Sequence, residues 1–318
     1  MSNDSKSKKS IDIIEDAMKK LGSIYGINQE DRPEYLYHYT TIEGFKGIYE
    51  SNSLWISNTK FMNDSREYIY GRDILLNYIQ ELEKSGHIKT GYHKDFIKYL
   101  SKELEQNRQD MFLISLCTEP DLLSQWRGYA QGTTGISLGF NMRDLCTLGR
   151  DPKEHDYSDP GIFNEYRFPQ RVIYDKYTQK KIVVDSIDIA LKACEDYYNL
   201  TGLGKTGELC FELLRYDILR WLLLFKDPGF REENEWRIIF DKRETKVKFR
   251  VRDGVLLPYI EIKAITKDAG KVVSDTIPIN KIIVGPSRQK DYIIDSINYF
   301  LESEGKNIEV ISTEIPYR

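Results

Sequence analysis

The sequence predicts an α+β protein with a mixed or antiparallel split sheet that is interrupted by inserted helices. About nine short apolar segments have the length and pattern of strands, and most of them follow one another closely. Amphipathic segments with helical spacing lie between some of these strands. Strictly alternating strand–helix–strand units are absent, which disfavours a doubly wound parallel sheet. The 318 residues leave room for two average domains or for one larger domain with helical insertions.

Composition narrows the class of protein. With 40% hydrophobic and 30% charged residues, the chain is typical of globular proteins. The net charge of −4 gives no broad basic face, so a nucleic-acid contact would require a local groove. No apolar run approaches the roughly 20 residues that span a bilayer, and the N-terminus lacks the apolar core of a secretory signal. The four cysteines and four histidines show no metal-ligand spacing. We therefore expect a cytoplasmic protein with reduced thiols, no membrane contact and no dedicated metal site.

The first half of the chain is predicted to alternate helices and short strands. A polar tail precedes an amphipathic helix at 10–25, and a strand at 35–39 follows. Thr40 and Glu43 have the spacing of a capping box, so a helix is expected to begin there. The other elements are strands at 54–57, 111–117 and 136–140 and helices at about 65–84, 93–108 and 121–129.

The second half contains a long helical block followed by closely spaced strands. The pattern predicts two helices within 178–226, broken at glycines, and a helix at 289–303. The predicted strands are 168–174, 235–241, 245–251, 256–262, 281–284 and 308–311. We expect a tail and helix at 1–30 and one α+β domain at 31–318, with helical insertions at about 64–108 and 178–227.

Two short motifs contain residues suited to a binding or catalytic site. In LYHYT (36–40), His38 precedes a helix start whose free N–H groups lie beside the Thr40 hydroxyl. The alternative is a structural histidine bonded to a backbone carbonyl. In EENEWR (232–237), a period of two places Glu235 and Arg237 on one strand face. A carboxylate held by arginine could stabilise a cationic transition state, whereas a surface salt bridge is the alternative.

Weaker signals come from two further groups of residues. Ser115 near a strand end and Trp126 on a short helix could line a pocket for a flat ring, although the same helical stripe is equally typical of core packing. Cys117 has no neighbouring histidine in sequence and is not expected to be a nucleophile. A cluster of acids could instead hold Mg²⁺ in a nuclease, and its members would be Asp64, Glu67, Glu232 and Glu233.

The ordered set of motifs resembles the bacterial family catalogued as domain of unknown function 2971. The resemblance covers about residues 35–318, and its specificity lies in the combination rather than in one motif. The motifs are LYHYT (36–40), LWISN (54–58), ND-x-x-E (63–67), ISLC (114–117), W-x-x-YA (126–130), G-x-x-LGF (135–140), EWR (235–237), I-x-GP (283–286) and IPYR (315–318).

The layout of these motifs is similar to that of the ADP-ribosyltransferase superfamily, and the first strand resembles that of thymidine-modifying DNA ADP-ribosyltransferase toxins. The resemblance implies that His38 and Thr40 hold NAD, which is the substrate. It implies that Glu235 bonds the nicotinamide-ribose 2′-OH and stabilises an oxocarbenium-like state as nicotinamide leaves. The further pocket residues that it implies are Tyr39, Ser115, Trp126 and Arg237.

We therefore expect an enzyme that cleaves NAD at the nicotinamide–ribose bond and transfers ADP-ribose to a protein or nucleic-acid acceptor, or hydrolyses NAD. The expected context is a bacterial toxin or phage-defence effector with an antitoxin or defence-system partner. Two alternatives stay open: a non-catalytic ligand-binding module and a Mg²⁺-dependent acid-cluster nuclease. The binding module predicts that His38 and Glu235 share no cleft.

Overall fold

A computed structural model shows a ten-stranded mixed sheet, a separate two-stranded sheet and helices packed on the larger one. This architecture confirms the predicted α+β class. None of the described helices is long and apolar enough to cross a membrane. The structure describes residues 3–26, 31–62, 65–88, 91–106, 111–129, 135–145, 169–202, 206–241, 246–252, 254–263, 266–268, 271–274 and 276–316.

The elements follow the predicted order, with small differences at their ends. The strands are β1 Tyr35–Thr41, β2 Ser53–Asn58, β3 Met111–Cys117, β4 Gly135–Asn141, β5 Gln170–Arg171, β6 Glu235–Asp241, β7 Lys248–Arg252, β8 Val255–Lys263, β9 Thr266–Asp268, β10 Lys271–Ser274, β11 Ile279–Val284 and β12 Glu309–Ser312. The helices are α1 Asn3–Gly22, α2 Ile42–Ser51, α3 Ser65–Ser85, α4 Gly91–Gln106, α5 Leu123–Tyr129, α6 Met142–Leu145, α7 Lys176–Thr201, α8 Thr206–Leu222 and α9 Lys290–Ser303.

Several elements differ locally from the sequence prediction. Helix α1 begins at Asn3 rather than at residue 10, because the polar and charged residues there include no proline or glycine and are compatible with a helix. Helix α2 is capped by Thr41, whose side chain accepts from the Gly44 amide at 3.1 Å, so the predicted Thr40 cap is wrong by one residue. The strand expected at 168–174 contracts to the two residues of β5, although residue 168 lies outside the described ranges. The β9–β10 hairpin and α6 were not predicted, since both are short.

The sheet divides beside β3. On one edge, β3 pairs with β6 along its whole length, from Met111 opposite Asp241 to Cys117 opposite Glu235. On the other edge, β2 pairs only with the start of β3, whereas β1 meets β3 only where Tyr37 lies opposite Cys117. Strands β1 and β2 therefore diverge, and the middle of β3, near Ser115, borders the gap between them.

Helices cover the two faces of β3 and β6 differently. Leu113 and Ile239 point into a large helical layer that combines α1, α3, α4, α7 and α8. Phe112 and Ile238 point into a second core that includes residues of α2 and α9. The two predicted insertions thus pack against each other and against α1. A third, small aromatic cluster contains Tyr37, Tyr39, Cys117, Trp126 and Ile283.

Gly71 on α3 permits close packing against the end of α8. A Cβ atom at this position would lie 2.5 Å from the Leu222 carbonyl oxygen and 3.0 Å from the Leu222 Cα. Because backbone atoms cannot rotate away, we expect Gly71→Ala to lower the free energy of unfolding by about 1–3 kcal/mol. This loss would outweigh the roughly 1 kcal/mol that alanine normally adds within a helix. Urea denaturation measures the change.

Gly128→Ala on α5 is the matched control, since a Cβ atom there would meet nothing within 4 Å. This variant is expected to be neutral or slightly stabilising. Equal unfolding free energies for the two variants would contradict the packing described for α3 and α8.

Candidate functional site

A cavity of about 710 Å³ occupies the gap in the sheet. Its walls come from β1, the start of α2, β2, β3, α5, the first residue of β6 and the β7–β8 hairpin. The volume is in the range of small-molecule sites. Five of the residues singled out in the sequence line it, whereas Trp126 and Arg237 lie behind its wall. The five are His38, Tyr39, Thr40, Ser115 and Glu235.

His38 uses one ring nitrogen for structure and leaves the other for a ligand. Its Nδ1 atom lies 3.0 Å from the Ser115 backbone carbonyl oxygen, and a carbonyl only accepts, so we assign the proton to Nδ1. Burial and the charge of Arg250 lower the pKa of His38 to about 4, although the bond to Ser115 opposes them. The ring is therefore neutral at pH 7, and the Nε2 lone pair can accept a hydrogen bond from a ligand hydroxyl.

Thr40 lies at the junction of β1 and α2. Since Thr41 caps the helix, the Thr40 hydroxyl is not needed for that role. A Cβ atom at Gly44 would overlap Thr40 Oγ1, so only glycine lets the helix approach this side chain closely. Thr40, Thr41 and Gly44 all line the cavity.

Glu235 is a buried carboxylate with two cationic partners, and only 2% of the residue is exposed. Arg237 donates from Nε to Oε1 at 2.7 Å and from Nη2 to Oε2 at 2.8 Å. Lys226 Nζ donates to Oε2 at 3.0 Å. Burial raises the pKa of Glu235, but the charges of Arg237 and Lys226 outweigh it, so the pKa lies well below its usual range. A carboxylate has about four acceptor positions, and these three bonds leave one for which the nearby Ser115 hydroxyl and a ligand would compete.

The local backbone brings Lys226 back to Glu235. A 3₁₀ turn at Pro228–Glu233 begins after Asp227, whose side chain accepts from the Gly229 amide. Asn234 then adopts a left-handed conformation with φ 43°, which asparagine tolerates better than most residues. Lys226 Nζ also donates to Glu233 at 2.7 Å. Two carboxylates and two cations therefore form a charge-balanced network at one end of the cavity.

Ser115 contributes an unsatisfied polar group. Its Oγ atom is buried, and no hydrogen-bond partner for it occurs in the described part of the chain. The residue lies opposite Arg237 in the β3–β6 register, and its hydroxyl is near enough to Glu235 to help lower the pKa of that carboxyl. A buried hydroxyl without a partner is costly, so a ligand atom in the cavity would stabilise it.

Tyr39 is anchored by both of its polar contacts. Its hydroxyl donates to the Glu119 carbonyl at 2.7 Å and accepts from the Leu122 amide at 2.9 Å. Its ring meets Trp126 edge to face, with centroids 4.7 Å apart. Tyr39 can therefore offer a ligand only the part of its ring that faces the cavity.

Trp126 and Arg237 do not contact the cavity, contrary to the role that the resemblance implied for them. Trp126 is 3% exposed, and its indole Nε1 donates to Asp121 at 2.7 Å. Of the two interpretations left open for its helix, core packing is the one that the structure shows. Arg237 is 1% exposed and is occupied by Glu235 and by the Leu223 carbonyl. Both are positioning residues in this arrangement.

Sequence reasoning missed the basic wall of the cavity. Arg250 and Arg252 of β7 line it, together with Trp55 of β2. A signal for this wall was present, because KFRVR (248–252) places basic residues at every second position of a strand. The missing information was which face of β7 turns toward the gap.

The remaining predictions concern Cys117, the acid cluster and a metal site. Burial raises the pKa of Cys117 to about 12, as expected for a thiol that is not a nucleophile. Within the acid cluster, Glu233 pairs with Lys226, whereas Asp64 and the Glu67 side chain lie outside the described part. The residues of the family motifs that also lie outside it include Asn63, Tyr317 and Arg318. Among the residues described, no group of three or more His, Cys, Asp or Glu side chains could hold a metal ion.

Comparison with known families supports one part of the resemblance. The family described as Protein of unknown function (DUF2971) matches residues 125–238, which span α5 to the middle of β6 and include Glu235 and Arg237. This match confirms the resemblance to that family drawn from the sequence. No curated protein matches the chain, and no solved structure matches it either.

The lowered pKa of His38 predicts a specific pH dependence of stability. The pKa falls from 6.5 in the unfolded chain to about 4 in the folded one, so the unfolded chain binds more protons between these values. Stability is then fully present above about pH 6.5 and decreases as the pH falls toward 4. At about 1.4 kcal/mol per pKa unit, we expect wild type to lose about 3 kcal/mol more than His38→Gln between pH 7 and pH 4.

Urea denaturation at both pH values measures this difference. His87→Gln, which changes an exposed histidine on the α3–α4 connection, should retain the pH dependence of the wild type. The same loss in wild type and in His38→Gln would show that His38 is not held neutral by its surroundings.

Proposed function

We propose that the protein is an ADP-ribosyltransferase-like enzyme that cleaves NAD at the nicotinamide–ribose bond. The observation that supports this proposal best is the meeting of His38, Thr40 and Glu235 in one cavity. These residues come from two strands, β1 and β6, that do not pair directly in the described sheet. The arrangement combines a neutral acceptor, a hydroxyl and an ionised carboxylate within a volume suited to a nucleotide-sized ligand.

The two acceptors suit a ribose. The remaining acceptor position of Glu235 would take the hydrogen of the nicotinamide-ribose 2′-OH, and His38 Nε2 would accept from another ribose hydroxyl. Thr40 can donate or accept beside them. These contacts would hold the sugar in one orientation, which lowers the entropic part of the barrier.

Bond cleavage places positive charge next to this carboxylate. When the C1′–N bond of NAD breaks, both electrons go to the nicotinamide nitrogen, and neutral nicotinamide leaves a cationic ribose. An ionised carboxylate in a buried site stabilises that cation more than water does. An acceptor hydroxyl, amine or amide, or water, then forms the new bond to C1′ and releases its proton to solvent.

A non-catalytic ligand-binding module is the second candidate, and one observation favours it. Arg237 and Lys226 already balance the charges of Glu235 and Glu233. A carboxylate in such a network interacts less strongly with a developing cation than an unpaired one does. The module as expected from the sequence predicted no cleft shared by His38 and Glu235, whereas both line one cavity. A module that binds a ligand in this cavity differs from the enzyme in turnover, because it would not release nicotinamide from NAD.

The biological setting is proposed from the family resemblance, the state of the thiols and the net charge. The acceptor would be a protein or a nucleic acid, and a toxin or phage-defence role with an antitoxin or defence-system partner agrees with the family resemblance. A cytoplasmic location is supported by free, buried thiols at Cys117, Cys194 and Cys210. The net charge of −4 favours a local contact with any nucleic-acid acceptor over a broad one.

Glu235→Gln tests the catalytic assignment. The amide keeps the shape of the side chain but removes its charge, so we expect the rate of nicotinamide release from NAD to fall by about 100-fold or more. Chromatography of the released nicotinamide gives the rate, and circular dichroism checks that the variant is folded. NAD affinity, measured by isothermal titration, should change much less than the rate.

Glu261→Gln is the matched control, because Glu261 is also a strand carboxylate bound to a lysine, Lys248, at 2.6 Å, but does not line the cavity. Its rate should equal that of the wild type. Unchanged turnover in Glu235→Gln would refute the catalytic role of this carboxylate. Binding of NAD by wild type without nicotinamide release would favour the binding module.

A further inference from the structure

Two arginines give the cavity a basic wall that no part of the proposed mechanism uses. Arg250 and Arg252 lie two residues apart on β7, so they share one strand face. Both line the cavity. Phe249, next to Arg250 in sequence, is 62% exposed on the opposite face. The strand therefore presents both arginines to the cavity, and Val251 between them also borders it.

Arg250 is held in place before any ligand binds. Its Nη2 atom donates to Ser57 Oγ at 2.9 Å. The guanidinium carbon lies 5.7 Å from the ring centroid of Trp55 and 5.7 Å from that of Tyr259. Trp55 is itself anchored, because its indole nitrogen donates to Ser51 Oγ at 3.0 Å. Such preorganisation reduces the entropy that is lost when a ligand is bound.

Within the described ranges, one of the N–H groups of the Arg250 guanidinium has a hydrogen-bond partner. A guanidinium has five N–H groups, and one of them bonds Ser57. The Nε atom is buried and has no hydrogen-bond partner in the described ranges. Within those ranges Arg250 also has no carboxylate partner, whereas Arg237 is bound on two sides by Glu235. A half-buried guanidinium without a counterion is poorly solvated, and an anion would relieve part of that cost.

The other described charged residues at the cavity also leave Arg250 without a neutralising carboxylate. The network of Glu235, Glu233, Arg237 and Lys226 is neutral, so it has no excess negative charge to compensate Arg250. Glu43, the other described acid that lines the cavity, is exposed to solvent. Burial and the neighbouring Arg252 lower the pKa of Arg250 more than Tyr259 raises it.

We propose that Arg250, assisted by Arg252, binds the pyrophosphate of the ligand. The planar fork of arginine matches two phosphate oxygens at once. The identification of the anion as a pyrophosphate rests on the proposed function, whereas the preference for an anionic ligand follows from the charges alone. The ligand would then lie with its phosphates against β7 and its reactive ribose against β6.

Inorganic pyrophosphate is the probe that separates this inference from the catalytic proposal. Isothermal titration should show pyrophosphate binding to wild type. We expect Arg250→Gln to weaken it by about 10- to 100-fold, as for the loss of charge-assisted hydrogen bonds. Lys248→Gln is the control, because it removes the same charge from the same strand face outside the cavity, and its affinity should be unchanged.

The outcomes are distinguishable. Pyrophosphate binding that depends on Arg250, without cleavage of NAD, would support this inference and reject the proposed enzyme. Glu235-dependent cleavage of NAD together with unchanged pyrophosphate affinity in Arg250→Gln would overturn the inference alone. Failure of wild type to bind pyrophosphate would also overturn it. If Arg250→Gln does not fold, Arg250→Lys decides, since it keeps the charge but loses the fork, and an unchanged affinity there contradicts the proposal.

Discussion

The contact between Arg237 and Glu235 is the interaction on which the site depends. Both side chains are almost fully buried, and each compensates the charge of the other. Removing one partner of such a pair typically costs about 3–5 kcal/mol, because the remaining charge is left in a medium that solvates it poorly. Lys226 and Glu233 extend the pair into a neutral group of four. The network thus holds an ionised carboxylate at the cavity wall without an excess charge of its own.

The gap in the divided sheet forms the cavity that Glu235 lines. Because β1 and β2 contact β3 at opposite ends, a gap opens beside Ser115, and His38 reaches the carbonyl of that residue across it. The β7–β8 hairpin closes the far side with Arg250. The cavity is therefore lined both by the carboxylate of a neutral network and by basic side chains. This combination suits a ligand with a hydroxyl-bearing part and an anionic part.

Short-range patterns predicted much of the fold but only part of the site. The alternation in EWRIIFD (235–241) correctly separates Glu235 and Arg237 from Trp236, because side chains in a strand alternate between faces. The partnership of Lys226 with Glu235 was not predictable, since it depends on the chain reversal that ends at Asn234. Likewise, no local sequence pattern shows whether Trp126 lines a pocket or packs in the core. No local pattern shows that the Arg250 side of β7 borders the cavity either. These features arise from tertiary packing.

A crystal structure of Glu235→Gln with NAD would test the central claim most directly. The substitution should slow turnover enough for the intact dinucleotide to persist in the crystal. The account predicts the nicotinamide ribose within hydrogen-bond distance of the substituted side chain and of His38 Nε2, with the phosphates on Arg250. NAD bound elsewhere on the protein, or a cavity that stays empty of NAD at saturating concentration, would contradict it.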